Sequence, residues 1–272
     1  MAKRLTKPLV YVILIAFSLF YLMPVYVLIV TSLKPFDQIS LDTMWQLPST
    51  IDLSSYSTAF SKLAPNIMNS FYLVIPATLL SALFGSLNGY VLSKWKFKGS
   101  ELVFTAILFG MFIPYQSILI PLIVFLRDLG LYNSIPGLIF THVVYGLPIT
   151  TLMFRNFYAN IPNSMLESAK IDGANFLKIY GRIMFPLSIS GFVVVAIWQF
   201  TNIWNEFLFA VSLTQSDQQP VMVALQNLAG SQVVQWNVQM AGALLAALPT
   251  LLVYILVGKY FVRGLLAGSV KG

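Results

Sequence analysis

The sequence predicts an all-α membrane protein with six transmembrane helices, and three observations lead there. Of 272 residues, 58% are hydrophobic and 9% charged, whereas soluble domains carry roughly 25% charged residues to keep their surface solvated. Six apolar runs, at about 8–33, 71–93, 102–126, 135–154, 185–212 and 240–262, each reach the roughly 20 residues that cross about 30 Å of hydrocarbon as helix. Helices satisfy their own backbone hydrogen bonds in lipid, and the alternating ten-residue pattern of a membrane β-barrel is missing from these runs. The third observation is the placement of the 16 basic residues. With the N-terminus inside, Lys3, Arg4, Lys7, Lys94, Lys96, Lys98, Arg155, Lys170, Lys178, Arg182, Lys259, Arg263 and Lys271 are cytoplasmic. Only Lys34, Lys62 and Arg127 are outside, the bias expected of inward-facing loops. Both termini are therefore expected in the cytoplasm.

Span one follows Lys3, Arg4 and Lys7, but its run is too long for a signal peptide and no small-residue cleavage site follows, so it reads as an uncleaved span. In span two, Gly85 and Gly89 form a GxxxG beside Ser81 and Ser86, a small-residue face for close helix packing. Pro76, Pro114, Pro121, Pro148 and Pro249 fall within spans, where proline can kink a helix. His142 in span four reads as a hydrogen-bonded packing residue. Two outer segments are long, 34–70 and 213–239; the second contains VMVALQNL, apolar enough for a short surface helix. Neither can build its own core, no internal repeat is visible, and 1–272 reads as a single transmembrane domain.

The chemistry the chain lacks is equally plain. There is no Cys and one His, which excludes disulfides, thiol catalysis and multi-His metal clusters. No G-x-x-x-x-G-K-[ST] phosphate loop occurs, so this chain has no ATP or Mg site of its own. No catalytic triad and no nucleic-acid module can be found; the expectation is a transporter rather than an enzyme, without cofactor or metal. Lys94, Lys96 and Lys98 read as topology anchors against anionic lipid.

One cytoplasmic segment is more than a connector. Residues 166–188, LESAKIDGANFLKIYGRIMFPLS, carry Glu167, Lys170, Asp172, Lys178 and Arg182 in a chain poor in charge. Ser164 and Glu167 have capping-box spacing, which would start a helix after Pro162. Gly173 interrupts it; a second helix over 175–183 would put Phe176, Ile179, Tyr180 and Ile183 on one side. Pro186 then precedes span five. Two short helices with an apolar face and a polar rim suit either a layer of lipid headgroups or a soluble partner.

Span five carries IWQFTNIWNEF. Gln199, Asn202 and Glu206, spaced i, i+3 and i+7, share one face of a continuous helix, with Asn205 alongside. Polar groups inside a span face protein or water, and Trp198 and Trp204 offer aromatic faces suited to the C–H surface of sugars. Gln199, Asn202, Trp204, Asn205 and Glu206 are the candidate substrate pathway; the alternative is packing against a neighbouring helix or subunit.

Glu167-Ser168-Ala169, Gly173, Ile183 and Pro186 resemble the EAA loop of ABC importer permeases, with Ser168 for the first Ala and Phe185 for Leu. The likeness covers nearly the whole chain. NSFYLVIPATLLSALFGSLNGYVLSKWKFKG, WNEFLFAVSLT and KYFVRGLLAGSVKG resemble the carbohydrate, maltose-type branch, and HVVYGLPITTLMFRN and SDQQPVMVALQNL resemble glucose/mannose-type importers. The resemblance implies a type I ABC importer permease fold and a coupling loop over 163–184, in which Glu167, Ser168, Ala169, Asp172, Gly173, Ala174, Lys178 and Pro186 meet an ATPase. It implies as partners a second six-span permease, two ATPase subunits that bind ATP and Mg, and an extracytoplasmic sugar-binding protein, in a bacterial plasma membrane. The implied cargo is a glucose/mannose-type sugar or a small glucoside, with α-glucosides, trehalose and glucosylglycerol as alternatives. An ion-driven secondary transporter or channel is the rival class; it calls for paired intramembrane charges or an inverted repeat, and only Glu206 is a candidate charge.

Overall fold

The structure is a computed structural model that describes residues 2–95, 97–215, 217–230 and 234–267; side chains are described from residue 7 to residue 258. Lys96 and Lys271 lie outside the described residues, as do the side chains of Lys3, Arg4, Lys259 and Arg263. Every regular element among the described residues is helical. In order they are α1 (Ala2–Ser32), α2 (Ser54–Lys94), α3 (Ser100–Phe109), α4 (Leu119–Asp128), α5 (Ile135–Ala159), α6 (Asn163–Ile171), α7 (Phe176–Ile179), α8 (Phe185–Leu187), α9 (Ile189–Trp204), α10 (Leu208–Leu213), α11 (Val221–Ala229) and α12 (Trp236–Ala267).

Four described helical stretches are long and apolar enough to cross a membrane, Lys7–Ser32, Ser54–Lys94, Ile135–Ala159 and Trp236–Gly258. The pair Phe176–Leu187 and Ile189–Trp204 meets the same length and composition only when taken together, and it is bent by 75°. The apolar run expected as an unbroken span at 102–126 is two helices. After α3 comes one 3-10 turn, Gly110–Phe112, then Ile113 at φ −75°, ψ 115°. Pro114 is the cause: it has no N–H to donate and its ring disfavours helical geometry at the residue before it. The carbonyl of Ile113, released from the helix ladder, accepts the Tyr145 hydroxyl at 2.5 Å. The short apolar helix expected within 213–239 is α11.

The chain divides into two compact units. In the first, residues 1–65 and 224–248, Ala59, Val238 and Ala241 form a small core with Tyr56 and Leu245 beside it. Tyr56 hydrogen-bonds Ser32 (2.7 Å), and the Lys34 ammonium donates to the Thr43 carbonyl (2.6 Å). Asp52 accepts from the backbone N–H and hydroxyl of Ser54 (2.8 and 2.9 Å), which starts α2 and holds its carboxyl below the ordinary carboxylate range.

The second unit, residues 66–223 and 249–272, contains the larger core: Tyr90 from α2, Phe154 and Tyr158 from α5, and Ile179, Tyr180 and Met184 from the segment after α6. The GxxxG face acts as packing. A Cβ at Gly85 would collide with the Thr150 side chain, and one at Gly89 would lie 2.7 Å from Arg155 N and Phe154 Cβ. Only glycine lets α2 and α5 come this close.

Candidate functional site

Two places in the second unit collect the sequence-predicted residues. The first is the loop after α5. Helix α6 begins at Asn163, with Pro162 in the extended cap position and no side chain capping it. The expected Ser164–Glu167 capping box does not form. Ser164 already lies inside the helix, and a capping residue needs non-helical backbone. The start is fixed from elsewhere: the Lys94 ammonium donates to the Ile161 carbonyl (2.6 Å) and to Asn163 Oδ1 (2.9 Å).

The end of α6 follows from Gly173. Its φ of +74° is a conformation that favours glycine. Gly173 N–H donates to Lys170 O (3.0 Å) and Ala174 N–H to Ala169 O (2.9 Å), which together make a Schellman stop. Leu166 and Ala169 are buried and Ala174 packs against the same core, while Glu167, Ser168, Lys170, Asp172, Gly173 and Lys178 are exposed. Asn175 then caps α7, its Oδ1 accepting Lys178 N–H at 2.9 Å.

The second loop helix, expected as regular over 175–183, switches to π geometry at Tyr180–Met184. Pro186 explains it. Proline cannot donate to the Arg182 carbonyl four residues back and would clash with it, so Phe185 N–H reaches the Tyr180 carbonyl instead. Pro186 itself is exposed, one residue before the end of α8. Behind the loop runs a buried hydroxyl chain. Ser86 Oγ lies 2.5 Å from Tyr158 Oη and 2.9 Å from Tyr180 Oη, and Tyr158 Oη lies 3.1 Å from Ser188 Oγ at the bend into α9.

The second place is a cavity of about 470 Å³ lined by α5, α9 and the break after α3. Gln199, Asn202 and Glu206 from the candidate pathway line it, together with Trp198, His142 and Tyr145. They are not one stripe of a continuous helix, as expected. Helix α9 stops at Trp204 with Asn205 as its C-cap, whose N–H and Nδ2 both donate to Thr201 O at 3.2 and 2.8 Å. Glu206 then takes the backbone N–H groups of Phe209 (2.8 Å) and Ala210 (3.1 Å), and so starts α10. Polar side chains at such positions compete with the backbone ladder.

Trp204 and Asn205 are not on the cavity. Trp204 is buried, stacked on Phe200 (5.6 Å between centroids) and edge-on to Phe71 (5.1 Å). Asn202 is exposed and holds its own helix, donating to Trp198 O at 2.8 Å. His142, expected as a hydrogen-bonded packing residue, is buried edge-on to Phe209, but its Nε2 makes no hydrogen bond among the described residues. The nearest carboxylate oxygen, Glu206 Oε2, is 3.7 Å away. The sequence signal that could have placed it on the cavity is the pairing of a lone intramembrane His with a lone intramembrane Glu.

The break at Pro114, with the Ile113 carbonyl held by Tyr145 beside a part-polar cavity, is non-helical backbone of the kind tolerated at membrane depth where it is covered by protein or lines a water-filled cavity. The class is thus a multi-pass membrane transport component. The chain belongs to the family of binding-protein-dependent transport system inner membrane components, whose pattern matches residues 78–266; it is a transporter subunit and not an enzyme. It is 48% identical to a probable ABC transporter permease protein of Pyrococcus horikoshii, over 98% of both chains. It is 34% identical to a xylose/arabinose import permease protein of Haloferax volcanii (94% of this chain, 90% of the other). It is 30% identical to a glucose import system permease protein of Saccharolobus solfataricus (96% and 95%). The fold matches a crystal structure of a bacterial ABC transporter involved in import of the acidic polysaccharide alginate, with TM-score 0.83 over 96% of this chain and 98% of that one, at 23% identity.

Proposed function

We propose that this chain is one of two permease subunits of a binding-protein-dependent ABC importer that carries a sugar into the cytoplasm, a glucose/mannose-type monosaccharide or small glucoside being the cargo first to test. The observation that carries the coupling role is the loop after α5. Its inner face (Leu166, Ala169, Ile179) is locked into the core of the second unit, and its rim (Glu167, Ser168, Asp172, Lys178) is free to meet a partner. A push on that rim is passed to α9 through the π turn and the Ser188 bend. Two ATPase subunits, which bind ATP and Mg, dock on this loop, and an extracytoplasmic binding protein delivers the sugar to the opposite face.

The import names of the Haloferax and Saccharolobus relatives support a sugar and leave the choice among monosaccharides to experiment. The chain sits in the plasma membrane with both termini cytoplasmic, supported by the placement of its basic residues.

Reconstitution tests the reading. The permease pair, the ATPase pair and the binding protein in liposomes should accumulate a sugar from a panel of glucose, mannose, xylose, trehalose and glucosylglycerol, only with ATP on the ATPase side. Accumulation driven by an ion gradient without ATP would overturn it in favour of a secondary transporter. Cysteine at position 62 should label from outside and at position 98 only from inside; the reverse would remove the loop from the ATPase side.

A further inference from the structure

We infer that the cavity between α5 and α9 is a sugar-binding station within this subunit, with Gln199, His142 and Glu206 as its polar contacts and a preference for neutral over acidic saccharides. The sugar identity rests on the importer reading above; the site rests on the following geometry.

Gln199 is 3% exposed and His142 7% exposed, yet Gln199 Nε2 and His142 Nε2 both make no hydrogen bond among the described residues. Buried polar groups left this way are costly unless something else satisfies them, and both belong to the lining of the same cavity. The backbone is shaped to bring them together. Gly146 lies one helical turn after His142, and a Cβ there would collide with Gln199 Nε2. Any residue but glycine would push the amide away from the α5 face that carries the imidazole. Glu206 completes the set across from His142 Nε2, at 3.7 Å.

Most of the remaining wall is apolar: the rings of Tyr115, Tyr145, Trp198 and Phe209 with Met111, Ile149 and Ile203, and the amide of Asn202 at its exposed side. A volume near 470 Å³ falls in the range of small-molecule sites, about 300–1,000 Å³, which combine apolar walls with a few convergent polar groups. The chemistry selects the ligand. Gln199 Nε2 can only donate and repels a cation. The Glu206 carboxyl, already held by two backbone N–H groups, still has acceptor capacity, and it disfavours a second carboxylate in the same enclosed space. A neutral ring with hydroxyl groups at its edge and C–H faces for the aromatic wall fits donor, acceptor and wall together.

The test uses the whole importer in nanodiscs, trapped with ATP and vanadate, with tritiated glucose and xylose as probes and tritiated galacturonate as the acidic comparison. The wild-type complex should retain the neutral sugars and not galacturonate. Gln199→Met and His142→Leu should each lower retained sugar about tenfold, while ATP hydrolysis stimulated by loaded binding protein stays within about twofold of wild type. If either variant fails to assemble, Trp198→Ala in the more exposed wall should show the same split between retention and hydrolysis. Unchanged retention in the variants, equal retention of galacturonate, or retention and hydrolysis falling together in assembled complexes would overturn the site. A wild-type complex that accumulates sugar in liposomes but retains none when trapped overturns the site alone. One that accumulates no sugar overturns the importer reading, and this inference with it.

Discussion

The loop at 162–188 and the cavity at His142, Gln199 and Glu206 are built on opposite principles. In the loop the chain reversals are closed: Gly173 and Ala174 return their N–H groups to α6, Asn175 caps α7, and Lys94 holds the start. Its apolar side is in the core and its charges point outward. In the cavity, Gln199 Nε2 and His142 Nε2 are buried without a hydrogen-bond partner among the described residues. In the reading proposed above, the first arrangement transmits force, because a closed set of hydrogen bonds moves as a unit, and the second receives a ligand, because unsatisfied buried polar groups gain a hydrogen bond when one arrives.

Four substitutions sharpen that contrast. The largest effect is expected from Gly173→Pro. Proline cannot adopt φ +74°, and the hydrogen bond to Lys170 O is lost, at a combined cost of about 2–4 kcal/mol. ATP-driven uptake should fall by more than about tenfold with the permease still in the membrane; normal uptake would mean the loop is not the coupling element. Lys94→Met comes next. Removing the ammonium frees Ile161 O and Asn163 Oδ1, at about 1.5–3 kcal/mol for hydrogen bonds to a charge. It should lower the thermal midpoint of the solubilised complex and loosen the loop by hydrogen exchange.

Ser86→Ala should be milder, about 1 kcal/mol, since Tyr158 keeps its contact with Ser188. Its signature is faster amide exchange around Tyr180, and unchanged exchange there would show the hydroxyl chain to be incidental. Glu167→Ala should change stability least, within about ±0.5 kcal/mol, because the exposed carboxylate caps nothing in α6. A clear loss of transport at unaltered stability would therefore assign Glu167 to the ATPase contact, and intact transport would remove it from that contact.

The sequence by itself determined the membrane class and the bend at Gly173. Each depends on composition or on a local backbone rule: apolar length for spans, and left-handed backbone for glycine. The small-residue face of α2 was legible for the same reason. Tertiary structure decided the rest. Whether Ser164 or Pro162 occupies the cap of α6 turned on an ammonium from α2, remote in sequence. The run at 102–126 was long enough for one helix, and its break at Pro114 is stabilised by a hydroxyl from α5. Gln199, Asn202 and Glu206 were placed together correctly for the wrong reason. The helical spacing that joined them stops at Trp204, and Glu206 reaches the cavity from beyond that end, where its carboxylate accepts N–H groups of α10. His142 entered the same cavity only because Gly146 lets α9 press against α5. Periodicity describes one helix at a time, whereas a site between helices is set by how closely their backbones approach, and that distance depends on residues far apart in the chain.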